Sequence, residues 1–212
     1  MPVDVKICGL STPETLDAAI DAGTDLVGLV FFPKSPRNVS IETAARLAAR
    51  ARSKALVVAL IVDADDTTIA DIKREVRPDI FQAHGNETPE RIDAIRRLTG
   101  NLVIKAIKVK DIANVEKAQD FVGRASFLLF DAKPPENSAL PGGNGLTFDW
   151  TILKNADRPF MLSGGLTPGN VAEAIRVSDA AMVDVSSGVE SAPGIKDVEL
   201  IRKFIEAAKR AS

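Results

Sequence analysis

Phe160-Met161-Leu162-Ser163-Gly164-Gly165-Leu166-Thr167-Pro168 is the stretch whose reading decides the fold. Three apolar residues read as a buried strand and Ser-Gly-Gly ends it. Thr167 then sets a hydroxyl N-cap ahead of a proline at the first helical position. The same unit recurs outward in both directions. Strands are predicted at Val3–Cys8, Leu26–Phe31, Ala55–Val62, Ile80–His84, Val103–Ile107, Phe127–Asp131, Phe160–Leu162 and Ala181–Val185, bounded by Gly, Pro, Asp or Ser as buried parallel strands are. Thr12-Pro13 and Thr88-Pro89 repeat the capped helix start, although Arg91 at the third position after Thr88 rules out a reciprocal capping box there. Further helices are predicted over Ile41–Arg52, Thr67–Val76, Ile112–Phe121 and Val198–Arg210. The last carries the apolar stripe Val198, Ile201, Phe204, Ile205 and Ala208.

Eight strand–helix units with no Pro/Gly/Ser linker between them favour a closed (β/α)8 barrel, in the α/β class, spanning 1–212 as one domain. An open flavodoxin-like or Rossmann sheet normally stops at five or six strands. No G-x-G-x-x-G follows the first strand, so a dinucleotide site has no support.

Composition narrows the function. The 27 basic and 29 acidic residues nearly cancel, Tyr is absent and Trp occurs once, so nucleic-acid binding lacks both a phosphate-neutralising patch and a stacking platform. A single cysteine makes no internal disulfide, which fits a reducing compartment. The start Met1-Pro2-Val3-Asp4 leads straight into a strand, so no secretory leader is expected. The longest apolar run, Ala55 to Val62, falls far short of the roughly 20 residues of a membrane span. These readings predict a soluble, cytoplasmic, compact domain with no nucleic-acid or membrane partner, as a monomer or, through exposed apolar loop residues such as Phe32, a homodimer. One His and one Cys, far apart, do not make a metal set, and no G-x-S-x-G elbow marks a serine hydrolase. No cofactor is expected.

In such a barrel chemistry gathers at the C-terminal strand ends. Those ends hold Cys8, Arg37 just beyond Phe31, Asp63, Gln82-Ala83-His84-Gly85, Lys108, Asp131, Ser163-Gly164-Gly165 and Ser186-Ser187-Gly188. The two glycine-rich loops follow strands seven and eight, a frequent phosphate position, where backbone N–H groups approach an anion closely. Strand alternation puts Lys6 and Cys8 on one face and Val5 and Ile7 on the other, so Cys8 faces the mouth if the apolar pair faces the helices. It is either an inert small hydrophobe or a base whose thiolate nearby positive helix ends favour. Asp131 is either a loop cap or an acid, and acid work requires its proton to be held at neutral pH, with desolvation in favour and Lys133 or Lys6 opposed if close. The long irregular connection from Ala132 to Thr147, with two proline arms and Gly142-Gly143-Asn144-Gly145, reads as a lid or, alternatively, as a disordered surface excursion.

Lys6-Ile7-Cys8-Gly9-Leu10, Gly28-Leu29-Val30-Phe31-Phe32 with Ser35-Pro36-Arg37, Gln82-Ala83-His84-Gly85, Phe130-Asp131, Gly142-Gly143-Asn144-Gly145 with Phe148-Asp149-Trp150, Ser163-Gly164-Gly165-Leu166 and Val183-Asp184-Val185-Ser186-Ser187-Gly188-Val189-Glu190 together resemble the phosphoribosylanthranilate isomerases. The resemblance runs in order from first strand to last helix. It implies an eight-stranded barrel performing the Amadori rearrangement of N-(5′-phosphoribosyl)anthranilate in tryptophan biosynthesis. It further implies Cys8 as general base, Asp131 as general acid, Arg37 on the anthranilate carboxylate and His84 in the substrate site. Gly164, Gly165, Ser186, Ser187 and Gly188 would hold the 5′-phosphate, helped by Gly143 and Gly145. The chain departs from the family's usual pattern at Ala83, which alternation turns toward the helices, and at Asn144 in the lid. The histidine-pathway isomerase, with an aspartate on strand one, and a silent phosphosugar-binding barrel are the alternatives.

Overall fold

The computed structural model describes residues 3–133, 142–143, 145–154, 156 and 159–211. Strands β1 (Asp4–Cys8), β2 (Leu26–Phe31), β3 (Leu56–Ile61), β4 (Ile80–Ala83), β5 (Leu102–Val109), β6 (Phe127–Ala132), β7 (Met161–Leu162) and β8 (Met182–Val185) pair in parallel, in chain order, around a closed barrel. β8 closes on β1 with Lys6 opposite Asp184. All eight predicted strands are present, with ends shifted by at most two residues. β5 outruns its apolar pattern because Lys108 and Val109 still pair with Asp131 and Ala132 on β6.

Helices α1 (Pro13–Asp21), α2 (Ile41–Ala51), α3 (Asp66–Glu75), α4 (Pro89–Thr99), α5 (Ile112–Lys117), α6 (Val171–Ser178) and α7 (Val198–Arg210) pack outside the barrel. Thr12 and Thr88 cap α1 and α4 as predicted, accepting from the amides of Thr15 and Arg91. Three expectations need correction. Thr167-Pro168 does not start α6: the Asn170 side chain accepts from the Thr167 amide and donates to the Gly165 carbonyl, and the helix begins only after this turn. The helix expected over Ile112–Phe121 tightens to a 3₁₀ turn from Ala118 onward. After β6 the chain forms a 3₁₀ turn, Trp150–Leu153, where the repeating pattern called for a full helix. Beyond β8, a 3₁₀ turn (Ser187–Val189) and a hairpin of β9 (Glu190–Ala192) and β10 (Ile195–Lys196) are too short to leave a periodic signal.

Side-chain alternation divides the strands between two apolar layers. Val5, Ile7, Val27, Leu29, Phe81 and Ala83 join the core between sheet and helices, as expected for Ala83. Leu26, Val58, Ile80, Ile104, Leu129 and Met161 fill the barrel itself. Toward the C-terminal ends, residues in phase with this inward set include Cys8, Gln82, Asp131, Ser163 and Asp184, so the filling turns from apolar to polar. Phe32 is half-buried against Cys8, Val30 and Leu60 and lines the mouth. Among the described residues no helix is long and apolar enough to cross a membrane.

The amphipathic α7 buries Ile201, Phe204, Ile205 and Ala208. Phe204 has no exposed surface. Phe204→Ala is expected to lower unfolding free energy by about 3–5 kcal/mol, measured by urea denaturation with an unchanged fold by circular dichroism.

Candidate active site

The C-terminal ends of the strands surround a cavity of about 650 Å³, counting its open mouth. That size suits a ligand of a few tens of atoms. Cys8 from β1, Arg37 from the loop after β2, His84 from the end of β4 and Asp131 from β6 all line it, together with Gly143, Gly164, Gly165, Ser186, Ser187 and Gly188. Ten of the eleven residues singled out in the sequence therefore meet at one opening. Gly145 does not. It is exposed, and the chain it turns lays Leu146 and Thr147 against Gly165. Residues 134–141 and 144, with the prolines and Asn144 of the expected lid, lie outside the described residues.

Asp131 is buried and carries a hydrogen-bonded chain. Gln82 Nε2 lies 2.9 Å from His84 Nδ1, and His84 Nε2 lies 3.1 Å from Asp131 Oδ2. An amide nitrogen only donates, so in this arrangement Nδ1 accepts and the Nε2 proton points at the carboxylate. Gln82 Oε1, fully buried, has no partner. Lys6 is not near enough to pair with Asp131, because it turns to Asp184, and Lys133 is exposed. Gly142 brings the returning loop directly over this chain: a Cβ there would fall 2.6 Å from Asp131 Oδ2 and 2.7 Å from His84 Nε2. His84 is held from behind by the loop that follows it. Glu87 accepts from the amides of Gly85 and Asp63 and from Lys105 Nζ at 2.7 Å. Burial opposes the Glu87 charge, but Lys105 and the amides overcome it and hold its carboxyl below the usual value.

Cys8 is almost fully buried. Burial pushes its thiol pKa up, and Asp184 adds to this, while Lys6 and Lys196 pull the other way. The positive charges beside the sulfur are two lysines, and desolvation outweighs them.

Arg37 is buried and already gripped. Its Nε and Nη2 donate to the two carboxylate oxygens of Glu190 at 2.7 and 2.8 Å, a bidentate pair. Nη1 remains beside Gly143. Glu190 also accepts from Lys196 Nζ at 2.7 Å, and Lys196 reaches the Ser186 carbonyl at 2.9 Å. Burial works against the Glu190 charge, yet Arg37 and Lys196 hold its carboxyl below the usual value; burial likewise lowers Lys196. Two cations thus share one anion at the mouth, leaving net positive charge beside the eighth loop.

The seventh and eighth loops pack as one unit, since a Cβ on Gly188 would lie 1.8 Å from the Leu166 carbonyl oxygen. Neither the Gly164 nor the Gly165 amide finds an acceptor among the described residues. Free amides at a turn that follows a strand suit an anion.

Lys6, Gln82, Asp184, Glu190 and Lys196 were not singled out for a role. Inward phase marks the first three: a charge or amide two residues before Cys8, His84 or Ser186, on the same strand face, points into the barrel. Glu190 and Lys196 sit on the short hairpin and carry no such mark.

Residues 5–207 match the family described as N-(5′-phosphoribosyl)anthranilate isomerase. The isomerase of that name from Paramagnetospirillum magneticum is 54% identical over 211 residues, 99% of this chain and 98% of that one. The crystal structure of phosphoribosyl anthranilate isomerase from Thermotoga maritima aligns with a TM-score of 0.88 at 37% identity, over 98% of this chain and 99% of that chain. A further structure of the Thermotoga enzyme is of monomers generated from its dimeric form. A phosphoribosyl anthranilate isomerase in complex with reduced 1-(o-carboxyphenylamino)-1-deoxyribulose 5-phosphate has a TM-score of 0.86 at 35% identity, over 98% of this chain and 99% of that chain.

The Cys8 environment makes a direct prediction. Alkylation by iodoacetamide, which reports the chain's one thiol, is expected to accelerate with pH around a midpoint above that of an ordinary cysteine, since a raised pKa delays the thiolate to higher pH.

Proposed function

The chain belongs to the phosphoribosylanthranilate isomerase family, and we propose that it isomerises N-(5′-phosphoribosyl)anthranilate to 1-(2-carboxyphenylamino)-1-deoxyribulose 5-phosphate, as a single-domain cytoplasmic enzyme of tryptophan biosynthesis. The observation that carries this reading is the opening of one thiol and one carboxyl, from β1 and β6, into a single cavity.

The reaction moves protons at two places on one sugar. Asp131 gives its proton to the furanose ring oxygen, the C1′–O bond breaks, and the anilino nitrogen pushes its lone pair into an iminium. Cys8 as thiolate then takes the C2′ proton. The C–H electrons form the C1′–C2′ double bond and neutralise the iminium nitrogen, giving an enolamine. Loss of the O2′ proton and protonation at C1′ complete the ketone. C2′ is oxidised and C1′ reduced within the molecule, so no external electron carrier is needed. For its first step Asp131 has to hold its proton toward the substrate on Oδ1, while Oδ2 goes on accepting from His84 Nε2, whose tautomer Gln82 fixes by donating Nε2–H to Nδ1.

The ends of the substrate are both anionic. The glycine turns after β7 and β8 suit the phosphate through uncharged amides, and Arg37 Nη1 suits the anthranilate carboxylate, with Glu190 fixing the plane of the guanidinium. Arg37 holds its shape in advance, which reduces the entropy lost on binding.

Conversion is followed by the fluorescence of the anthranilate ring. Cys8→Ser and Asp131→Asn are each expected to lose about 10²–10⁴ in kcat, with Arg37→Met acting mainly on KM. A kcat near that of the parent protein in either of the first two removes the assigned role.

A further inference from the structure

The barrel interior holds a charged pair that the reaction sequence above does not use. Lys6 has no exposed surface, and its Nζ donates to Asp184 Oδ1 at 2.8 Å. Asp184 Oδ2 accepts from Ser163 Oγ at 3.3 Å. Cys8 stands two residues beyond Lys6 on the same face of β1. Gly28 on β2 shows how close the two are: a Cβ there would lie 2.9 Å from Cys8 Sγ and 3.1 Å from Lys6 Nζ. Sulfur and ammonium therefore share the space that a side chain at Gly28 would fill, and the missing side chain leaves them facing each other.

A lysine in the dry centre of a barrel costs more in lost hydration than a leucine would in packing. Lys6–Asp184 bonding alone explains how that charge survives, but not why it sits beneath the one thiol. We propose that Lys6 and Asp184 are positioning residues for proton abstraction, with Lys6 supplying the counter-charge that the Cys8 thiolate needs and Asp184 holding Lys6 in place while limiting that counter-charge. The proposal rests on Cys8 being the base. When sulfur takes the C2′ proton, its negative charge is neutralised by the new S–H bond while Lys6 stays charged throughout. Lys6 thus favours the reactant thiolate, and Asp184 keeps that form from becoming too stable to accept a proton.

The other charged groups around the sulfur are few. Lys196, on the β9–β10 hairpin, acts in the same direction as Lys6. Arg37, His84 and Asp131 line the same cavity, with the Arg37 stem against Gly9, next to Cys8 in the chain, and its guanidinium held by Glu190. β2 and β3 present only Gly28, Val30 and Leu60 to Cys8. Burial and the sulfur pull the Lys6 pKa in opposite senses, and with Asp184 the balance leaves it above the ordinary value, so Lys6 stays charged across the working range.

The experiment measures iodoacetamide alkylation of Cys8 against pH in the full-length protein, in Lys6→Met and in Asp184→Asn. The two substitutions remove opposite charges from one pair, so their effects differ in sign. Lys6→Met is expected to raise the alkylation midpoint by about one pH unit or more, and Asp184→Asn to lower it by a similar amount. Midpoints that shift in the same direction, or not at all, overturn the proposal, because loosened packing exposes the thiol equally in both. If Lys6→Met does not fold by circular dichroism, Asp184→Asn decides: a lowered midpoint supports the proposal, and an unchanged or raised one overturns it. Turnover by Cys8→Ser separately tests whether Cys8 is the base, and its result leaves the alkylation comparison intact.

Discussion

The seam where the barrel closes is held by a buried ion pair, Lys6 of β1 to Asp184 of β8. First and last strands meet there, so the pair ties the two ends of the fold while standing directly under the reactive thiol. Breaking a buried pair by removing one partner typically costs about 3–5 kcal/mol, which makes this a structural as well as a chemical constraint. Everything above it depends on its geometry: Cys8 projects from the next inward position of β1, Ser186 follows Asp184 out of β8 and bonds the Cys8 carbonyl, and Ser163 of the seventh loop bonds Asp184 itself.

Apart from the central Lys6–Asp184 pair, the polar side chains of the barrel gather toward the C-terminal ends of the strands, and the charged ones are each held by a partner. Asp131 has His84, Lys6 has Asp184, and Arg37 and Lys196 share Glu190. The lower half is apolar, from Leu26 through Met161, and it supports the site without entering its chemistry. This division follows from strand direction: parallel strands all end at the same rim, so inward residues near their C-termini form one ring. The acid and base stand on strands three steps apart in that ring, which suits a sugar whose reacting atoms lie on separate parts of the molecule.

Periodicity and breakers made the fold legible. All eight strands and the stripe of α7 follow from alternation and 3.6-residue spacing, which local sequence encodes directly. Positions at strand ends then located Cys8, Arg37, His84 and Asp131 at one mouth. What stayed hidden depends on contacts distant in sequence. Glu190 lies 153 positions from the Arg37 it grips, and Lys6 lies 178 from Asp184. The burial and the two lysines that act on Cys8 carry no local mark either, because desolvation of a thiol is a property of the packed barrel. Gly145 shares the lid's glycine pattern with Gly143, yet only Gly143 reaches the cavity, and nothing local in the pattern separates them.

The division of labour between carboxyl and thiol is tested most directly with substrate carrying deuterium at C2′, comparing kcat for the two isotopic forms. Cys8→Ser slows C2′ deprotonation, so its isotope effect is predicted to exceed that of the parent protein. Asp131→Asn slows ring opening, which breaks no C2′–H bond, so its isotope effect is predicted to fall toward unity. The reverse order, or an equal isotope effect in both variants, would contradict the account.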